Sequence, residues 1–144
     1  MRIKEKIEFD LNEALKTGDQ ERLSILRLLK NAVKNIEIES RKELSEEEVI
    51  NALNRESKKT RDSISQFEIG GRSDLAAKEK KDLAIIDSYL PEKMSESKIR
   101  ILIKKKISED NATNFGEIMG RVMREIGTQA DGNIVKRILE EELR

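Results

Sequence analysis

Apolar residues recur every third or fourth position along nearly the whole chain, broken only by short polar or glycine-bearing stretches. That spacing predicts amphipathic helices and no strands. Ile3, Ile7, Leu11 and Leu15 share one face of a first helix. Gly18 takes the C′ role behind it, and Asp19 is placed to cap the next. Leu23, Leu26, Leu29, Val33 and Ile36 form a stripe that Ile25, Leu28 and Ala32 widen. So broad an apolar surface predicts the central helix of a bundle. The polar run from Glu37 to Glu43 ends it. Ser45 with Glu48 three residues on reads as a capping box. It opens a long third helix with Val49, Leu53, Thr60, Ile64 and Phe67 facing inward. Gly70-Gly71 stops that helix. Ser73 caps a fourth, which carries Leu75, Leu83, Ile86 and Leu90 up to Pro91.

Pro91-Glu92-Lys93-Met94 is the expected joint. Beyond it, Ser95 caps a pattern of Ile99, Leu102, Ile103 and Ile107, and Asn111 to Thr113 reads as a turn. Asn114 caps the next helix, with Glu117 in the capping-box position and Phe115, Ile118, Met119, Val122, Met123 and Ile126 inward. Gly127 closes it. Asp131 caps a last helix whose inner face is read as Ile134, Val135, Ile138 and Leu143. The expected fold is all-α: a bundle of about four helices over residues 1–91, then a three-helix tail domain over residues 92–144. A tail of this size is near the lower limit for a self-sufficient core.

Charge narrows the function classes. Charged residues make up 40% of the 144, yet Lys+Arg and Asp+Glu both number 29. From Glu92 onward there are eleven basic and ten acidic residues, so neither half is basic. A polyanion site must therefore come from local clustering. Cysteine is absent, which excludes disulfides and thiolate metal sites. Histidine is absent too. That removes the usual general base at neutral pH, the commonest metal ligand and the Glu-x-x-His pairs of di-iron bundles. The clusters Glu46-Glu47-Glu48 and Glu140-Glu141-Glu142 read as solvated faces. No catalytic residue, metal site or cofactor is expected. No apolar run reaches bilayer length and the first residues lack a signal-peptide h-region, so the expected compartment is the cytoplasm, with no membrane partner.

Three features invite a binding reading. Gly70-Gly71-Arg72-Ser73 precedes a helix start, where amides and Arg72 suit a phosphate; two successive caps explain it equally simply. Gly116 and Gly120 lie about 40° apart on one helix, and each costs about 1 kcal/mol relative to alanine. Either a neighbouring helix crosses there, or a ligand backbone approaches the strip with Arg121 and Arg124 beside it. Lys104-Lys105-Lys106 and Lys136-Arg137 add basic residues on two other tail helices. The candidate binding residues are thus Gly116, Gly120, Arg121, Arg124, Lys104, Lys105, Lys136 and Arg137.

Several stretches are familiar as a set: Lys58-Lys59-Thr60-Arg61-Asp62-Ser63, Gly70-Gly71-Arg72-Ser73-Asp74-Leu75-Ala76, Ile86-Asp87-Ser88-Tyr89-Leu90-Pro91, Phe115-Gly116-Glu117-Ile118-Met119-Gly120-Arg121-Val122-Met123 and Ala130-Asp131-Gly132. Together they resemble the YqeY-like family over essentially the whole chain. The same module is similar to the C-terminal part of the B subunit of the tRNA-dependent amidotransferase. The resemblance implies a helical bundle with a small tail, and a tail that recognises the elbow of tRNA. It also implies a binding module without the enzyme's kinase-like and ammonia-handling parts. A glutamine-dependent amidotransferase-like (carbon-nitrogen ligase) role would need partner subunits for the chemistry. The expected partner is tRNA or another structured RNA, with a protein-interaction scaffold as the alternative.

Overall fold

The computed structural model describes residues 1–110 and 114–144, and every described element is helical. Four helices come first: α1 (Ile3–Thr17), α2 (Gln20–Ser40), α3 (Glu46–Ile69) and α4 (Ser73–Ser88). Then come α5 (Glu96–Asp110), α6 (Phe115–Ile126), a short 3-10 turn (Gly127–Gln129) and α7 (Gly132–Glu142). They group into two compact units, Met1–Pro91 and Glu92–Arg144. The expected Asn111–Thr113 turn lies outside the described residues.

The punctuation follows local chemistry. Gly18 ends α1 in the left-handed region, φ 73°, where glycine pays no Cβ penalty. The Asp19 carboxylate accepts from the Arg22 amide at 3.1 Å. Ser45 and Glu48 form the reciprocal capping box, with bonds of 3.2 and 3.3 Å. Asn114 and Asp131 accept from the first amides of α6 and α7. Ser73 departs from expectation. It is the first residue of α4, and Arg72 before it is the N-cap with no side-chain cap bond.

In the first unit α2 touches each of the other three helices. Leu26, Leu29 and Leu53 are fully buried at its centre, with Ile7, Leu11, Val33, Val49 and Ile86 around them. Each such side chain contributes roughly 1.5–3 kcal/mol through burial. Thr60, Ile64 and Phe67 are only half-buried. The buried polar residue of α3 is Ser57, whose Oγ donates to Asp87 Oδ1 at 2.9 Å. On α1 the inner residues are Ile7, Leu11 and Ala14, and Leu15 is exposed, because position 14 rather than 15 is in phase with the core.

The second unit closes over Ile99, Ile103, Ile118, Val122, Ile126, Val135, Ile138 and Leu139. On α7 the inner face is therefore 135, 138 and 139. Ile134 and Leu143 are exposed, Leu143 because it stands at the C-cap beyond the last turn. Among the described residues, no helix is long and apolar enough to cross a membrane.

Candidate nucleic-acid interface

The side chains of α6 sort cleanly by face. Ile118, Val122 and Ile126 are buried. Gly116 and Arg124 are exposed on the opposite side, and Gly120 is half-exposed between them. Met119 and Met123 border the glycines on the core side, while Glu117 and the half-buried Arg121 border them on the other. A methyl group added at Gly116 would meet only Asn114 Oδ1, at 3.2 Å; one at Gly120 would meet only Arg124 Nη2, at 3.7 Å. Both neighbours belong to α6 or its own cap. No other described helix lies against the strip, so internal helix crossing does not explain these glycines. Their cost of about 1 kcal/mol each has no offset in packing within the unit.

The other candidate cations are placed differently. Packing of α5 against α7 brings Arg100 to Glu141 and Glu142, each at 2.6 Å. Lys104 reaches the same Glu142 at 3.9 Å. Arg137 pairs with Glu96 at 2.5 Å and with Glu141 at 3.4 Å. The Arg100 guanidinium, and then Arg137, hold the Glu141 carboxyl below its ordinary range. Lys105 pairs along its own helix with Glu109 at 3.9 Å, and Lys106 reaches Glu125 of α6 at 3.0 Å. Lys136 is exposed on α7. Lys104 and Arg137 thus each pair with acids, Glu142 and Glu141 being shared with Arg100, instead of forming an uncompensated basic patch. The Glu140–Glu142 run, read as a solvated face, supplies two of those partners. Arg100 and Glu96 complete this network. Neither stands out in sequence, because pairing across α5 and α7 depends on their relative placement.

The glycine pair before α4 is also accounted for. Gly71 is left-handed, φ 72°. Arg72 donates from Nε and Nη2 to Asp74 at 3.3 and 3.2 Å, which holds Asp74 below its ordinary range. Of the two expected caps only the C-cap, Gly70, is present, and the helix start already carries its own carboxylate, Asp74, on Arg72, so the phosphate reading falls away.

Two clusters explain further motif residues as structure. Arg61 Nη2 donates to Asp87 at 3.3 Å, beside the Ser57 bond. At the end of the bundle, buried Tyr89 donates from its hydroxyl to Asp10. Arg22 lies 3.6 Å from that carboxylate and Lys6 stands 5.7 Å over the ring. Burial, then Asp10, pushes the Tyr89 hydroxyl well above its ordinary pKa. Each of these groups has a partner within the bundle.

Comparison with known proteins decides the lineage. A family model described as Yqey-like protein matches residues 4–143. The chain belongs to the YqeY-like family. A relative from Pyrenophora tritici-repentis, "Altered inheritance of mitochondria protein 41, mitochondrial", is 25% identical over 141 residues, covering 94% of this chain and 78% of the relative. The protein of the same name from Candida glabrata is 32% identical over 85 residues, 58% of this chain and 47% of that protein. Among the described residues of this YqeY-like chain, no three His, Cys, Asp or Glu side chains gather as a metal site.

Proposed function

We propose that this YqeY-like chain is a non-catalytic accessory module whose tail holds tRNA or another structured RNA against the glycine face of α6. The observation that carries the reading is the open strip at Gly116 and Gly120, which meets no neighbouring helix and has Arg124 and Arg121 alongside. A surface without side chains lets a sugar–phosphate backbone come close, and guanidinium groups beside it suit phosphate oxygens. The resemblance read in the tail sequence to the C-terminal part of the amidotransferase B subunit implies the same ligand. Lys104, Lys105, Lys136 and Arg137 belong to this proposal as outer contacts. Any amide-transfer chemistry then resides in partner subunits. The cytoplasm is the compartment proposed, although both fungal relatives carry "mitochondrial" in their names.

The test pairs two variants. Replacing Arg121 and Arg124 together with alanine should weaken tRNA binding and flatten its salt dependence by about one log–log unit per lost phosphate contact. Gly120→Leu should weaken binding with the salt slope nearly intact. Both proteins should melt like the parent. Parent-like tRNA binding by two folded variants would remove the tail from the interface.

One observation favours a second reading, a protein-interaction scaffold: the acidic partners of Lys104 and Arg137 compensate much of the tail's positive charge. Under that reading the glycine face receives a partner helix. Gly120→Leu would then abolish co-purification of one protein partner, while tRNA fails to co-elute with the parent even at low salt.

A further inference from the structure

Uncompensated positive charge collects on α2, in the first unit. Arg27, Lys34 and Arg41 stand one heptad apart, a spacing of about 10 Å per step that keeps them on one side of the helix. All three are exposed, and among the described residues no acid pairs with any of them. Lys34 and Arg41 line one surface depression with Ile38, Glu37 and Glu43, where Glu43 pairs with Lys4 at 3.5 Å, and Lys34 lines the adjoining groove with Lys4 and Lys30. The acids of that groove are already used: Glu37 takes Lys4 at 2.8 Å and Glu8 takes Lys30 at 2.9 Å. On the other flank stand exposed Asn31 and Asn35, which carry no charge. Glu21 and Glu39 lie more than about 100° away round the helix.

Arg41 adds a second kind of observation. It is the one described residue other than glycine with positive φ, 55°, at the C-cap of α2. Glycine is the usual occupant of that conformation, and a side chain there is strained. The position thus carries an unpaired guanidinium at a cost in backbone energy.

We infer that the Arg27–Lys34–Arg41 ridge of α2 is a phosphate-backbone contact surface for structured RNA, separate from the glycine face of α6. The ridge spans about 21 Å and offers cations and amides, and the carboxylates that border it, Glu37 and Glu43, are both paired with Lys4, which suits a row of phosphates. A lipid surface fits less well. Ile38 is the one exposed apolar residue on the ridge, whereas interfacial helices bury a wide apolar face. The inference rests on the RNA reading above for its class of ligand, and on α2 alone for its place.

The full chain is titrated with unfractionated tRNA across a salt series. The triple variant Arg27→Gln, Lys34→Gln, Arg41→Gln should bind at least about tenfold more weakly, with a log–log salt slope shallower by about two units. Its melting temperature should match the parent's, since the three side chains are exposed. Arg41→Gly should weaken binding while melting at the same temperature or higher, because glycine relieves the left-handed backbone. Loss of binding in the α2 variants with parent-like binding by Gly120→Leu supports the ridge and rejects the tail reading. Parent-like binding and slope in the triple variant, with loss in Gly120→Leu, overturns the ridge and leaves the tail reading intact. A parent that ignores tRNA but binds phosphatidylglycerol vesicles, and loses them in the triple variant, assigns the ridge to a membrane surface and overturns the inference.

Discussion

At the scale of single residues, Tyr89 shows how a motif position can be structural. Its ring is buried at the end of the bundle and its hydroxyl ties the chain after α4 to Asp10 of α1. Tyr89→Phe keeps the ring and removes the donor, so it should cost about 1 kcal/mol, the usual net value of such a bond. Urea denaturation measures this directly; no loss would mean that Arg22 alone satisfies Asp10. The pH dependence carries a second signature. Because the folded-state pKa is raised, the unfolded chain gives up this proton first. The stabilisation is then complete below the ordinary tyrosine pKa of 10.0 and is lost as pH rises above it. The parent should lose stability there in a way that the phenylalanine variant does not.

At the scale of elements, helix existence and most caps were legible because they depend on neighbours in sequence. Gly18, Asp19, Ser45, Asn114 and Asp131 act within three or four residues of themselves. Helix phase was less legible. Residue type alone points Leu15 and Leu143 inward, while the backbone phase buries Ala14 and Leu139. The candidate site divides the same way. Spacing alone puts Gly116 and Gly120 together, but whether another helix covers them is a tertiary fact. Likewise, nothing local says that Arg137 and Lys104 find acids while Arg27, Lys34 and Arg41 do not. The open strip makes a sharp prediction. A methyl group at position 120 meets Arg124 at an ordinary contact distance of 3.7 Å. Gly120→Ala should therefore stabilise the tail by up to about 1 kcal/mol through helix propensity. Destabilisation in thermal melts would return the strip to internal packing.

At the scale of the whole molecule, two separate apolar cores stand on either side of one proline. The joint is short. Tyr89 is anchored in the first core, while Lys93 Nζ and the Met94 amide donate to Thr128 O and Gln129 O at 3.1 and 2.8 Å. Each end is thus held by its own unit, and the exposed residues left between them are Pro91 and Glu92. A protease needs several residues in extended form, and helical backbone denies it them unless the helix opens. A glutamate-specific protease at low dose should therefore cut first after Glu92, ahead of the many glutamates on helix faces. Mass spectrometry should find pieces 1–92 and 93–144 before any other pair. The long helix α3, which has no buried residue after Ser57, is the natural competitor. If the first cut falls within Glu46–Ile69, the bundle opens more readily than the joint, and the division of the chain at Pro91 does not describe how it yields.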